Sequence, residues 1–160
     1  MARTVDASEL RRAQAPHELF LFNLIFNHVF LFIATISAPS LQFLVAIIPT
    51  LSSAIVIYTL TTSRRVARTA SPLVSSHWQL AARRTRMFIA VWVLAAAFIG
   101  LVLATAGGAL EPWHYAVGSL VFIPTMLLML VLVIMESEAL QHARAGSFPG
   151  RSPVTEAAGE

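Results

Sequence analysis

Asn23, Asn27, His28, Thr50, Ser53 and Thr125 are polar residues set within long apolar runs. A polar group away from water must find a partner or do work, so these positions are where the chain would carry chemistry. Asn23 and Asn27 are one helical turn apart and share a face, with His28 at its edge. Pro49 and Pro124 each remove an amide donor and displace the carbonyl four residues back, at Val45 and Leu120, which offers acceptors at a similar depth. Two readings follow. Either the groups bond to one another as glue between helices, at about 0.6 kcal/mol per bond on average, or they line a path or small-solute site. In the second reading His28 is the intramembrane group that changes charge near neutral pH.

Other chemistry finds little support. Haem between helices takes histidines at one depth; His28 is central and His114 lies at an edge, about 14 Å away in depth at 1.5 Å per residue, so no haem and no other cofactor is expected. His17, His77 and His142 are scattered near the polar ends and suggest no metal site. All eight acids lie at or outside the ends of the apolar runs and there is no Cys, which leaves hydrolysis, phosphoryl transfer and thiol chemistry without their groups. No catalytic residue is expected, and the chain does not read as an enzyme.

The elements that position these residues follow from where charge is absent. Of 160 residues 57% are hydrophobic and 12% charged, with a mean hydropathy of +0.73, against about 25% charged in soluble domains. Uncharged stretches of 45, 24 and 24 residues separate Glu18 from Arg64, Arg86 from Glu111, and Glu111 from Glu136. One crossing takes about 20 residues. The sequence therefore predicts an all-α integral membrane protein with four transmembrane helices, at 19–37, 41–61, 87–106 and 113–135, as an up-down bundle. The first run is longer than a signal-peptide core and follows Asp6, Glu9 and Glu18, so it reads as retained.

Around this domain (18–144) the sequence predicts a cytoplasmic N-terminal segment over 1–17, a turn at Ala38–Ser40, an Arg-rich cytoplasmic loop over 63–86 and a disordered cytoplasmic tail over 145–160. Asp6 to Glu9 can cap a short helix that Pro16 interrupts. A helical extension of the fourth crossing runs through Arg144 and ends at Gly146. All eleven basic residues are Arg, and all fall on one side of this topology, which puts both termini inside. Arg without Lys, with abundant Ala, Leu and Val, suggests a GC-rich bacterial genome and hence the inner membrane.

Ala90, Ala97 and Ala104 recur every seven residues, and Ala96, Gly100 and Ala104 every four. They give the third crossing a small-residue face for close helix packing, within the monomer's own bundle or in an oligomer. Arg64, Arg65, Arg68, Arg83, Arg84 and Arg86 suit anionic lipid headgroups or a partner protein, and Glu136 or Glu138 can pair with some of them inside the monomer. A nucleic-acid partner is not expected, because the arginines flank apolar segments. Ile48-Pro49-Thr50 recurs as Ile123-Pro124-Thr125, a weak echo of tandem hairpins. The expected function is a small accessory or regulatory membrane subunit that binds another membrane protein or its own copies. The alternative is a transporter or channel component built on the Asn27/His28 cluster.

Overall fold

A computed structural model describes residues 6–38, 40, 44–107, 109 and 111–149. Pro39 of the expected turn, the first residues of the second crossing (41–43), Gly108 and most of the expected tail (150–160) lie outside the described residues. Every regular element among those described is a helix: α1 (Ala7–Leu21), a π-helical segment (Phe22–Phe30), α2 (Leu31–Ser37), α3 (Leu44–Thr69), α4 (Pro72–Thr105) and α5 (Pro112–Arg144).

Three helical spans, Ala46–Thr69, Pro72–Thr105 and Pro112–Arg144, are long and apolar enough to cross a membrane, and the chain is a membrane protein on that ground. At 1.5 Å per residue the 34 residues of α4 extend about 51 Å, well beyond a hydrocarbon core of about 30 Å. The arginine-bearing end of α4, residues 72–86, therefore projects out of the lipid, and its spanning part begins near Met87. The first apolar run differs. It continues α1 without a gap, but the π-helical segment divides it, so no regular α-helix of spanning length forms there.

Three departures from expectation concern the arginine-bearing ends. The segment 63–86 is not a loop: α3 continues to Thr69 and α4 begins at Pro72. Ser71 precedes Pro72, and its hydroxyl accepts the Val74 amide at 3.5 Å; proline fits the first helical position, where its missing N–H is not needed. Pro16 does not interrupt α1. Its missing amide leaves the Arg12 carbonyl without an intrahelical donor, and the Trp78 indole donates to that oxygen at 3.1 Å. The start of the expected tail is ordered by a helix stop. Gly146 adopts φ 68°, where a Cβ would be strained, while Ser147 N–H donates to His142 O at 3.0 Å and Gly146 N–H to Ala143 O at 3.3 Å. This pair of bonds is the Schellman arrangement. It turns Ser147 and Phe148 back onto the protein.

The chain forms two compact units, Met1–Thr85 with Val133–Glu160, and Arg86–Leu132. In the first, Ala13 of α1, Val66 of α3, Leu73, Val74 and Trp78 of α4 and Ala143 of α5 make a buried apolar core, with Leu10, Ala70 and Phe148 against it. In the second, Phe88, Ala95, Met129 and Leu132 are buried, whereas Leu94 is 70% and Leu120 69% exposed, a pattern suited to hydrocarbon as solvent. Ala90, Ala96, Ala97, Gly100 and Ala104 are all exposed, and a Cβ built on Gly100 would meet nothing within 4 Å. The small-residue face is thus left uncovered within this unit, and Ala95 is the alanine buried there.

Candidate functional site

The most elaborate polar site joins residues that are 60 and 119 positions apart. α1 carries His17, the outer part of α4 carries His77 and Arg84, and the end of α5 carries Glu136. His17, His77 and Glu136 are fully buried and Arg84 is 8% exposed. His17 Nδ1 lies 2.6 Å from Glu136 Oε2, His17 Nε2 lies 2.9 Å from His77 Nδ1, and His77 Nε2 lies 3.0 Å from the Ser147 carbonyl oxygen. Arg84 Nη1 donates to Glu136 Oε1 at 3.0 Å and to the Met135 carbonyl at 2.9 Å. The two imidazoles meet edge to face at 85°.

The hydrogens in this chain are fixed by what each end can do. A carbonyl only accepts, so His77 carries its hydrogen on Nε2. Burial pushes His77 down to about 4, against the opposing pull of the Ser147 bond and with further lowering by His17 and His142. His77 is therefore neutral at pH 7, its Nδ1 is bare, and His17 donates to it from Nε2. His17 Nδ1 then meets Glu136 Oε2 at 2.6 Å, which closes the chain at the acid. A second proton on His77 would set N–H against N–H and break the link to His17. The bonded chain thus runs from the Ser147 carbonyl through both imidazoles to Glu136 and Arg84.

Of the two acids expected to meet arginines, Glu136 pairs with Arg84, while Glu138 is 71% exposed at its side chain and approaches only His142, at 3.8 Å, among the ion pairs found. Arg64, Arg65, Arg68, Arg83 and Arg86 are exposed. The histidines called scattered are in part gathered, since His17 and His77 touch, and His142 joins through a bond to the Ser147 hydroxyl at 3.0 Å. Their nitrogens are spent on one another, and among the described residues no group of three or more His, Asp and Glu could hold a metal ion. Of this site the sequence offered the pairing of Glu136 with an arginine; the meeting of His17 with His77 carried no local signal.

The expected membrane cluster is brought together only in part. Asn23 and Asn27 are buried on the π-helical segment. Asn27 Nδ2 donates to Asn23 Oδ1 at 3.0 Å and to the Ile48 carbonyl, beside Pro49, at 2.9 Å, and Asn23 Nδ2 donates to Ser52 Oγ at 3.2 Å. His28 Nδ1 donates to the Asn23 carbonyl at 2.8 Å. Nine consecutive residues of π-helix exceed the single turn in which this form usually occurs. Ser52, not Ser53, supplies the hydroxyl; Ser53 and Thr50 are exposed. Thr125 belongs to the other unit. Thr50 and Thr125 nevertheless make the same local bond, each donating at 2.8 Å to the carbonyl four residues back, Ala46 and Val121. Asn27 Oδ1 is buried without a hydrogen-bond partner.

Comparison with known protein families, curated proteins and solved structures finds no match.

Proposed function

We propose that the chain is a small accessory or regulatory subunit of a bacterial inner membrane, crossing it four times with both termini on the arginine-bearing, cytoplasmic side, and that it acts by binding another membrane protein and anionic headgroups. The crossing added in this reading to the three long helical spans is the first, Leu19–Ser37, which at about 1.5 Å per residue is close to the hydrocarbon thickness even with its π-helical interruption. The carrying observation is the contrast between spent and available polar groups. Both oxygens of Glu136 and both nitrogens of His17 and His77 are bonded within the chain, leaving no free acid, base or nucleophile there for a substrate. Five arginines are exposed, Arg64, Arg65 and Arg68 on α3 and Arg83 and Arg86 on α4, the helix whose His77 and Arg84 join the network.

Copurification in mild detergent tests the reading. A defined hetero-complex is expected, lost in the triple variant Arg64→Gln, Arg65→Gln, Arg68→Gln while its melting temperature stays unchanged. Recovery of the wild type only as an isolated monomer overturns it. Reporter fusions test the topology: Ser40 and Arg65 on the same side of the membrane would be incompatible with it.

A second reading, a transporter or channel component, is favoured by one observation, the unpartnered Asn27 oxygen beside Asn23 and Ser52. Liposomes holding the purified protein should then move a small cation or polar solute, and Asn27→Leu should abolish the flux.

A further inference from the structure

The unit Arg86–Leu132 contains a polar atom that its own fold leaves unanswered. Glu111 precedes the first turn of α5, and the His114 amide donates to the Glu111 carbonyl at 3.0 Å. In return the His114 ring reaches back, and its Nδ1 accepts the Glu111 amide at 2.9 Å. This is the reciprocal logic of a capping box, with imidazole in the place usually taken by Glu or Gln. Trp113 stacks on the ring with centroids 3.7 Å apart and donates its indole hydrogen to Glu111 Oε2 at 2.9 Å, which holds the arrangement.

The cap fixes the tautomer. Because Nδ1 accepts, the neutral ring carries its hydrogen on Nε2. That Nε2 is buried and has no hydrogen-bond partner among the described residues, in a residue only 5% exposed. A buried donor left unmade costs about 1–3 kcal/mol, so the position calls for an acceptor from outside the chain.

His114 lines a groove of about 380 Å³ between α4 and α5, walled by Ile99, Val102, Leu103 and Phe122 and floored by Gly118 and Ser119. The walls are apolar, a Cβ on Gly118 would meet nothing within 4 Å, and the Ser119 hydroxyl already donates to the Ala116 carbonyl at 2.6 Å. The occupant must therefore offer one hydrogen-bond acceptor and an apolar body. Charge narrows it further. No Lys or Arg occurs from 87 to 143 and the Glu111 carboxylate adjoins the cap, so a phosphate headgroup finds repulsion and no counter-charge. Aromatic Phe122 beside an N–H donor suits a flat carbonyl-bearing ring.

We propose that this groove binds an uncharged, carbonyl-headed lipid of the isoprenoid quinone type, with a ring carbonyl accepting the His114 Nε2 hydrogen and the tail lying along Ile99, Leu103 and Phe122. The site orients the quinone; no electron transfer is assigned to it.

The test uses the full chain in phosphatidylcholine nanodiscs and a benzoquinone bearing a decyl tail. Saturable binding of one quinone per chain is expected. His114→Phe should weaken it about tenfold, the loss of roughly one good hydrogen bond, and Gly118→Leu, which removes no bond and fills the groove, should weaken it at least as much. Decylbenzene, with the same tail and no carbonyl, should not compete. Absence of saturable binding by the wild type overturns the proposal, as does unchanged affinity in a folded His114→Phe. Equal competition by decylbenzene, or tight retention of phosphatidylcholine that quinone does not displace, would mark a nonspecific acyl groove and overturn it too. If His114→Phe loses its cap and unfolds, the outcome for Gly118→Leu decides.

Discussion

The unit of Met1–Thr85 with Val133–Glu160 and the unit of Arg86–Leu132 each contain part of α4 and part of α5, yet they treat polar groups differently. The first buries His17, His77, Arg84 and Glu136 in one bonded chain beside a core of Ala13, Val74 and Trp78. The second leaves Leu94, Leu101, Leu120 and Leu127 well exposed and buries few side chains. The difference follows the solvent each stretch meets: the network of the first unit lies at the charged ends of α1, α4 and α5, whereas that unit's own apolar runs expose Phe30 and Ile57 as the second unit exposes its leucines. Where water competes, burial of apolar area drives helices together and every buried polar group needs a partner. In hydrocarbon that drive vanishes, and exposed leucines cost nothing.

If this contrast is right, the largest effect belongs to the buried ion network. Glu136→Leu leaves Arg84 and His17 without their counter-charge and should destabilise the protein by about 3–5 kcal/mol, measured by denaturant unfolding in detergent micelles. Loss of less than about 1 kcal/mol would show that the network is incidental. Next, Leu120→Arg puts a charge deep in the apolar span and should cost about 2.5–3.5 kcal/mol of insertion free energy. Efficient insertion of that variant would mean that Leu120 does not face lipid.

The pH response should belong to the first unit. His77 lies at about 4 in the folded protein against an ordinary 6.5, so the unfolded chain takes up this proton first. Its contribution is complete above pH 6.5 and is lost progressively as pH falls toward 4. His17, His142, Glu136 and Arg84 are the charged or titratable groups around it. Melting temperature should fall across that window, and His77→Asn should flatten the fall; an identical slope in the variant would show that His77 does not set it. A smaller effect is expected at Asn27→Leu, about 0.6–1.7 kcal/mol for lost interhelical bonds. The smallest is at Leu94→Ala, within about 0.5 kcal/mol, and a larger loss there would mean that the exposed face of α4 is covered.

Much of the architecture was legible from charge spacing and helix signals. The gaps from Arg86 to Glu111 and from Glu111 to Glu136 marked the spanning parts of α4 and α5, and Gly146 marked a stop that only a residue tolerant of φ 68° makes easily. Pro16 misled because proline's local effect was read without its partner: the Trp78 indole that answers the freed Arg12 carbonyl is 66 residues away. The arginines between 64 and 86 read as a loop because they interrupt an apolar run, but six charges on helices that outlast the bilayer interrupt nothing. Asn23 and Asn27 were visible as neighbours on one face; that Ser52 and not Ser53 would meet them depended on the rotation of α3.

The sequence by itself determined where the chain is apolar, where charge is excluded and which residues punctuate helices, because transfer free energy and backbone propensity act on each residue and its near neighbours. Tertiary structure alone decided that His17, His77 and Glu136 share one hydrogen-bonded chain and that His114 Nε2 has no partner among the described residues. Hydrogen bonds act over about 3 Å, and their partners are chosen by the rotation and register of whole helices, which no local pattern encodes.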